Sequence, residues 1–284
     1  MSPPVRVATR RSPLALAQAR EAVAHLQAAC PGQTFLLETY STQGDERLEW
    51  SLEKEGGKGL FTSELERALA CGEADLAVHS AKDLPTELPE GLALAGFLPR
   101  APADDLLLLR ADTARVTSLA TGSPRRRMQL QEWFPEATWR EIRGNVGTRL
   151  DKIRNGYADG TVMAHAGIHR LGLLPLEGIA VHRLDPLRCV PAAGQGAIAL
   201  ECRAEDAAMW TPFLCAATAL AVNLERTALS ALGGGCHSAS AAHFRAGQLY
   251  LFTEGRGKAR FSIAPSSPEA MASAVRQTVQ SFLS

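Results

Sequence analysis

The run Ala74-Asp-Leu-Ala-Val-His-Ser-Ala-Lys-Asp-Leu-Pro-Thr-Glu-Leu-Pro89 constrains the fold of this 284-residue chain more than any other. Leu76 and Val78 alternate with smaller or polar neighbours, and Val is a strong strand former, so the run opens as a β-strand. Pro85 and Pro89 close it, because proline cannot donate to a ladder and enforces an extended, turning path. Between them lies His79-Ser-Ala-Lys-Asp83, a polar cluster placed where a buried strand runs out. In open α/β sheets, ligands bind outside the carboxyl ends of the strands. Taken alone, Lys82 and Asp83 read as a solvated surface pair, since charged side chains are mostly exposed. The company this stretch keeps changes that reading.

The length exceeds the usual single-domain size and predicts two or three domains. Lys+Arg and Asp+Glu balance at 30 each, whereas a nucleic-acid-binding chain carries a basic surplus, so no nucleic-acid partner is expected. Basic groups must then act as local clusters. Arginine dominates lysine, which favours bidentate recognition of carboxylate or phosphate. Met1-Ser-Pro-Pro-Val-Arg has no apolar run and no stretch approaches a membrane span; a cytoplasmic protein with no membrane partner is expected. Cys30, Cys71, Cys189, Cys202, Cys215 and Cys236 form no C-x-x-C pair, and no metal site is expected. Most of these thiols sit in apolar runs and read as reduced core cysteines. Cys236 follows three glycines. It is either a buried loop cysteine or a thiol on an accessible arm, suited to covalent attachment or nucleophilic attack.

Strand and helix signals alternate from the start. Val5–Ala8 reads as a strand, and Ser12 with Pro13 as the N-cap and first residue of a helix whose apolar face is Leu16, Ala19, Val23 and Leu26. Arg10 and Arg11 precede that helix N-terminus, a ready anion site. Phe35, Leu37 and Thr39 suggest a strand. The Gly-rich segment Glu53–Phe61 lacks the phosphate-loop spacing, which rules out a nucleotide loop. Ser63 with Glu66 reads as a capping box, and Gly72 ends that helix. Such strand–helix–strand units imply a parallel sheet with right-handed crossovers.

Pro99 and Pro102 suggest a crossing into a second domain, where Leu106–Leu109 reads as a strand buried on both faces. Thr121-Gly-Ser-Pro-Arg-Arg-Arg127 repeats the earlier device, with Ser123 as N-cap and Arg125 and Arg126 at the terminus. Arg143 and Arg149 flank another strand-to-helix turn, and Arg170 follows the strand candidate Gly160–His165. These arginine-bearing turns read as the wall of a cleft for a ligand with several carboxylates or phosphates. Pro191–Gly196 then returns the chain to complete the first sheet through Ala197–Leu200. Two lobes joined by two crossings can hinge. Past Cys215 a helical face (Leu220, Leu224, Ala228, Ala231), two strands and a last helix carrying Met271, Val275, Val279 and Phe282 form a small α+β domain. The expected division is residues 1–98 plus 195–213, 101–190, and 217–284.

Read together, Ala8–Leu16, Gly56–Phe61, Ala77–Pro85, Arg143–Leu150, Gly194–Ala197 and Gly234–Cys236 resemble the porphobilinogen deaminase (hydroxymethylbilane synthase) family. The resemblance implies an α/β fold with two periplasmic-binding-protein-like lobes and the third domain, working as a monomer. It implies head-to-tail condensation of four porphobilinogen molecules with loss of ammonia. It also implies a dipyrromethane cofactor held by a thioether to Cys236, with Asp83 catalytic and Lys82, Asp83, Ser123, Arg125 and Arg126 at the cofactor. Arg10, Ser12, Lys54, Arg143, Arg149 and Arg170 match the family's substrate-binding set. Gly233 and His237 stand where the family usually carries Glu and Gln. The other reading of two arginine-lined lobes is a non-catalytic binding protein for a polycarboxylate anion, which needs neither Asp83 nor a thiol on a glycine arm.

Overall fold

A computed structural model describes residues 3–42, 62–233 and 239–284. β1 (Val5–Arg10) leads into α1 (Pro13–Ala29). The side chain of Ser12 accepts from the Ala15 amide at 3.2 Å and Pro13 takes the first helical position, as the sequence predicts. β2 (Phe35–Tyr40), α2 (Ser63–Ala70) and β3 (Leu76–Ser80) follow, then a single 3-10 turn over Ala81–Asp83 and β4 (Leu92–Phe97).

The second lobe runs β5 (Asp105–Arg110), β6 (Ser118–Ala120), α3 (Pro124–Gln131), β7 (Thr138–Arg140), α4 (Val146–Arg154), β8 (Gly160–Ala164), α5 (His165–Arg170) and β9 (Ile179–Arg183). β10 (Ile198–Arg203) returns to the first lobe and is followed by α6 (Ala207–Trp210). The third unit is α7 (Ala216–Ala231), β11 (Ala241–Arg245), β12 (Gln248–Thr253), β13 (Gly257–Ser262) and α8 (Pro268–Leu283).

The two lobes share one strand plan. The first sheet is ordered β2-β1-β3-β10-β4 and the second β7-β6-β8-β5-β9. In each, one strand runs antiparallel to both its neighbours, and it is the strand that a crossing delivers: β5 outward, β10 on the return. α1 covers one face of the first sheet through Ala19, Ala22 and Leu26, and α2 covers the other through Leu65, Ala68 and Leu69. α7 and α8 pack Leu224, Val275 and Val279 onto the three-stranded antiparallel sheet β11-β12-β13.

Several local expectations need correcting. Ser63 and Glu66 form no capping box: Thr62 is the N-cap residue, Ser63 is already helical and Glu66 is buried. β4, β9 and β11 escaped the sequence reading; β11 starts Ala-Ala-His, whose small side chains carry no strand pattern and are buried by pairing with β12. Of the described cysteines, Cys189 and Cys202 are core, whereas Cys30 and Cys215 are half-buried and Cys71 is exposed.

Candidate active site between the lobes

The opening stretch does what its pattern predicts. β3 is buried until Ser80, which shares a hydrogen bond of 2.9–3.0 Å with Gln18 of α1. The Ala81 amide then donates to the Ala197 carbonyl at 3.0 Å, which turns the chain so that Lys82 and Asp83 leave the sheet. Gly194, with φ +73°, lies against this turn: a Cβ there would stand 3.0 Å from the Ala81 carbonyl carbon and 3.1 Å from the Lys82 nitrogen. The return crossing thus touches the Ala81–Lys82 turn at a distance only glycine permits. Arg226 of α7 holds the loop beyond it, donating to the Pro85 and Thr86 carbonyls at 2.6 and 2.9 Å.

Lys82 is solvent-accessible, yet loss of bulk hydration pushes its ammonium down to about 8. Both facts fit a side chain standing on the floor of a cleft. Asp83 beside it and Asp105 oppose the shift, while Arg126 and Arg125 add to it. No hydrogen bond or ion pair to a described residue holds Lys82 or Asp83.

The facing wall belongs to the second lobe. Ser123 caps α3, accepting from the Arg126 amide at 3.4 Å. Arg125 and Arg126 then turn inward onto one carboxylate: Arg125 Nη2 lies 2.8 Å from Asp105 Oδ2, and Arg126 Nη2 lies 2.8 Å from Asp105 Oδ1. Arg125 also donates to the Val190 carbonyl at 2.6 Å, and Arg126 to the Val162 carbonyl at 3.1 Å. Burial alone would raise the Asp105 carboxyl, but the two guanidiniums hold it far below the usual carboxylate range. Gln195, from the return crossing, donates to the same carboxylate at 2.9 Å.

Arg143 and Arg149 flank the start of α4, whose N-cap is Asn145. Arg149 donates to the Gly144 carbonyl at 2.7 Å. Burial, with Arg126 and Arg143 nearby, pushes its guanidinium down to about 10, and Asp83 across the cleft opposes this. Arg143 is lowered by burial too, and its Nη1 is buried with no hydrogen-bond partner among the described residues.

The remaining expected residues divide. Arg10 lines a small cavity with Gln18, Ser80 and Asp83. Ser12 spends its hydroxyl on capping α1. Arg170 clasps the lobes instead of facing open cleft: it donates to Glu21 of α1 at 2.8 Å and to the Gly196 carbonyl at 3.0 Å. Lys54 and Cys236 lie outside the described residues. Gln18, Asp105, Gln195 and Glu225 are site-building residues that the sequence reading missed. An acid heading the apolar run Leu106–Leu109, and a glutamate on the buried side of α7, were the available signals.

The described donors suit a pyrrole ligand with acidic side chains. Among the described residues, a buried guanidinium nitrogen on Arg143 without a hydrogen-bond partner and the cations Lys82 and Arg149 offer positive charge, and the Asp83 carboxylate offers an acceptor. Among the described residues no helix is long and apolar enough to cross a membrane.

A family model described as porphobilinogen deaminase, dipyromethane cofactor binding domain, matches residues 5–211. The porphobilinogen deaminase of Streptococcus sanguinis (strain SK36) is 40% identical over 243 residues, covering 82% of this chain and 79% of that one. That of Desulforudis audaxviator (strain MP104C) is 44% identical over 257 residues, covering 87% and 82%. Among solved structures, the periplasmic aliphatic sulphonate binding protein SsuA of Escherichia coli shares 13% identity at a TM-score of 0.45, covering 99% of this chain and 88% of that one. Strand plan and sequence matches define a two-lobed α/β enzyme. The chain belongs to the porphobilinogen deaminase family and is a transferase of tetrapyrrole biosynthesis.

Proposed function

We propose that this chain condenses four porphobilinogen molecules head to tail into hydroxymethylbilane, releasing ammonia, in the cleft between the lobes. The observation that carries this is the placement of Asp83 and Lys82 at the end of β3, within electrostatic reach of Arg149 and Arg126 on the other lobe. A dipyrromethane cofactor, joined by a thioether to Cys236, supplies the pyrrole end from which the product chain is extended. Asp83 accepts pyrrole N–H groups and stabilises the positive charge they gain as the aminomethyl nitrogen leaves. It also takes the ring-carbon proton. Lys82, Arg143 and Arg149 bind acetate and propionate groups, with Arg10 and Lys54 extending that surface. Arg125 and Arg126 act through the wall: two guanidiniums against Asp105 leave one positive charge uncancelled beside Lys82. Ser12, Ser123 and Arg170 hold the elements that carry these groups.

Intact-mass measurement of the unfolded protein tests the reading, because a thioether survives denaturation. We expect an addition of two linked pyrrole units, mapped to Cys236, and further stepwise additions after brief exposure to porphobilinogen. A bare polypeptide mass, together with undiminished bilane synthesis by Cys236→Ala, overturns it.

A further inference from the structure

β3 carries a second set of ionisable groups beneath the cleft floor. His79 is 5% exposed, and its Nε2 lies 2.9 Å from Oε2 of Glu201, which is 0% exposed. The two come from paired strands: Ala199 faces His79 in the β3–β10 ladder, and Glu201 is the next residue of β10 on the same face. Glu66 of α2, 9% exposed, completes the group. Neither oxygen of Glu201, nor Oε1 of Glu66, meets a hydrogen-bond donor in good geometry among the described residues. The imidazole touches Glu201 at contact distance but off the line of an N–H···O bond.

Burial works against the charged form of a carboxyl so poorly supplied with donors. Burial raises the Glu66 carboxyl; Glu201 and Glu64 add to the rise, while Thr62 and His79 oppose it. Among the described residues, few charged groups surround this set. α7 presents Arg226 to Glu201, β1 contributes Arg10 and the 3-10 turn contributes Asp83. β4 brings no ionisable side chain, and α1 offers uncharged Gln18. A cavity of about 20 Å³ is lined by Arg10, Gln18, Thr62, His79, Ser80 and Asp83. That is room for one water with several polar partners.

We propose that His79, backed by Glu201 and Glu66, is a positioning residue that exchanges protons with Asp83 through a single water in this cavity. The inference rests on the reading of Asp83 as the group at the reacting pyrrole. Each condensation breaks a C–N bond, whose electron pair leaves with ammonia. It forms a C–C bond at a ring carbon, which then gives up its proton. Asp83 takes that proton and the water passes it to His79; when the next unit is bound, the same water and Asp83 return it to that unit's aminomethyl nitrogen, which leaves as ammonium. With the proton parked on His79, the Asp83 carboxylate is ionised as the next unit enters.

The test joins histidine-ring NMR titration of the cofactor-loaded protein to kinetics. The His79 midpoint should fall in Asp83→Asn, which removes a negative charge from the shared cavity, and fall again in Glu201→Gln. His79→Gln should keep the cofactor mass and the KM for porphobilinogen but lose roughly 100-fold in kcat, the lower end of what positioned proton transfer contributes. Its kcat profile should also lose the pH limb that the wild-type enzyme shows at the His79 midpoint. A His79 midpoint indifferent to Asp83→Asn overturns the inference even if His79→Gln fails to fold, and so does a folded His79→Gln with the wild-type rate and profile. An inactive Asp83→Asn with an unmoved His79 midpoint sinks this inference alone, whereas an active Asp83→Asn removes the reading beneath it as well.

Discussion

Glu225 accepts the fork of Arg100, with Oε1 2.7 Å from Nη1 and Oε2 2.9 Å from Nη2. The same carboxylate accepts the Gly194 amide at 2.7 Å and the Phe244 amide at 2.8 Å, and lies 3.0 Å from His243 Nδ1. One side chain of α7 therefore gathers the outward crossing, the return crossing and β11. Gly194 in turn presses on the Ala81–Lys82 turn, so the third domain is mechanically continuous with the cleft floor.

Glu225→Gln should cost about 3 kcal/mol, because it leaves the half-buried Arg100 without its counter-charge. Urea unfolding of the two proteins at pH 7 measures the difference. Burial alone would raise the Glu225 carboxyl, but Arg100 and His243 hold it below its ordinary value. A depressed carboxyl stabilises above its unfolded pKa and loses that contribution as pH falls through its folded one. The gap between wild type and variant should therefore narrow below about pH 4.5.

The Asp105 cluster makes a different prediction about the arginine pair. Asp105→Asn strands two buried guanidiniums and should destabilise by about 3–5 kcal/mol. Arg125→Leu should also destabilise, since it empties a site made by Asp105 and the Val190 carbonyl. Because the two residues share one network, the double variant should fall short of the summed costs by about 0.5–3 kcal/mol. Denaturant midpoints across the four proteins decide it; simple additivity would mean that Arg125 and Asp105 stabilise the fold independently.

These two clusters also show where sequence reasoning stops. The strand ending at Ser80, the N-caps Ser12 and Ser123, and the return of β10 to the first sheet were legible, because each rests on local periodicity or capping chemistry. The partners of Arg125, Arg126 and Arg170 were not. Arg126 meets Asp105 across 21 residues and Arg170 meets Glu21 across 149, and no local pattern encodes such separations. His79 and Glu201 were hidden for the same reason, since only the antiparallel insertion of β10 beside β3 brings them together.

Gly194→Ala should damage activity more than stability. The residue's φ of +73° already disfavours a side chain, and the added Cβ meets backbone, which yields only by moving Ala81 and Lys82. The strain is on the order of 1–3 kcal/mol, while misplacing a reacting group by about 1 Å costs roughly 100-fold in rate. Gly72→Ala is the control, having φ +68° but open space around its Cβ position. Thermal melts should move in both variants, and kcat/KM should collapse only in Gly194→Ala.

Lys82 gives the cleft a pH dependence of definite sign. Its ammonium, solvent-accessible but pushed down to about 8 by loss of bulk hydration, is charged at neutral pH and neutral above. A ligand carboxylate seated beside it favours the charged form and draws the pKa back toward the ordinary lysine range. Binding between about pH 8 and 10.5 must then take up a proton, and affinity must fall as pH rises through that window. An unreactive pyrrole bearing acetate and propionate groups but no aminomethyl arm isolates binding from turnover. Calorimetry in two buffers of different ionisation heat should show proton uptake above pH 8. Lys82→Met should abolish that uptake, flatten the pH slope and weaken binding at pH 7 by roughly tenfold, the contribution of one charge-assisted contact. Stability should run the opposite way: with no ligand present, the unfolded chain binds the extra proton in this window, so raising the pH relieves the cost of holding Lys82 charged and favours the folded state. Affinity that stays level from pH 7 to 10 in the wild-type protein would place Lys82 outside the ligand site.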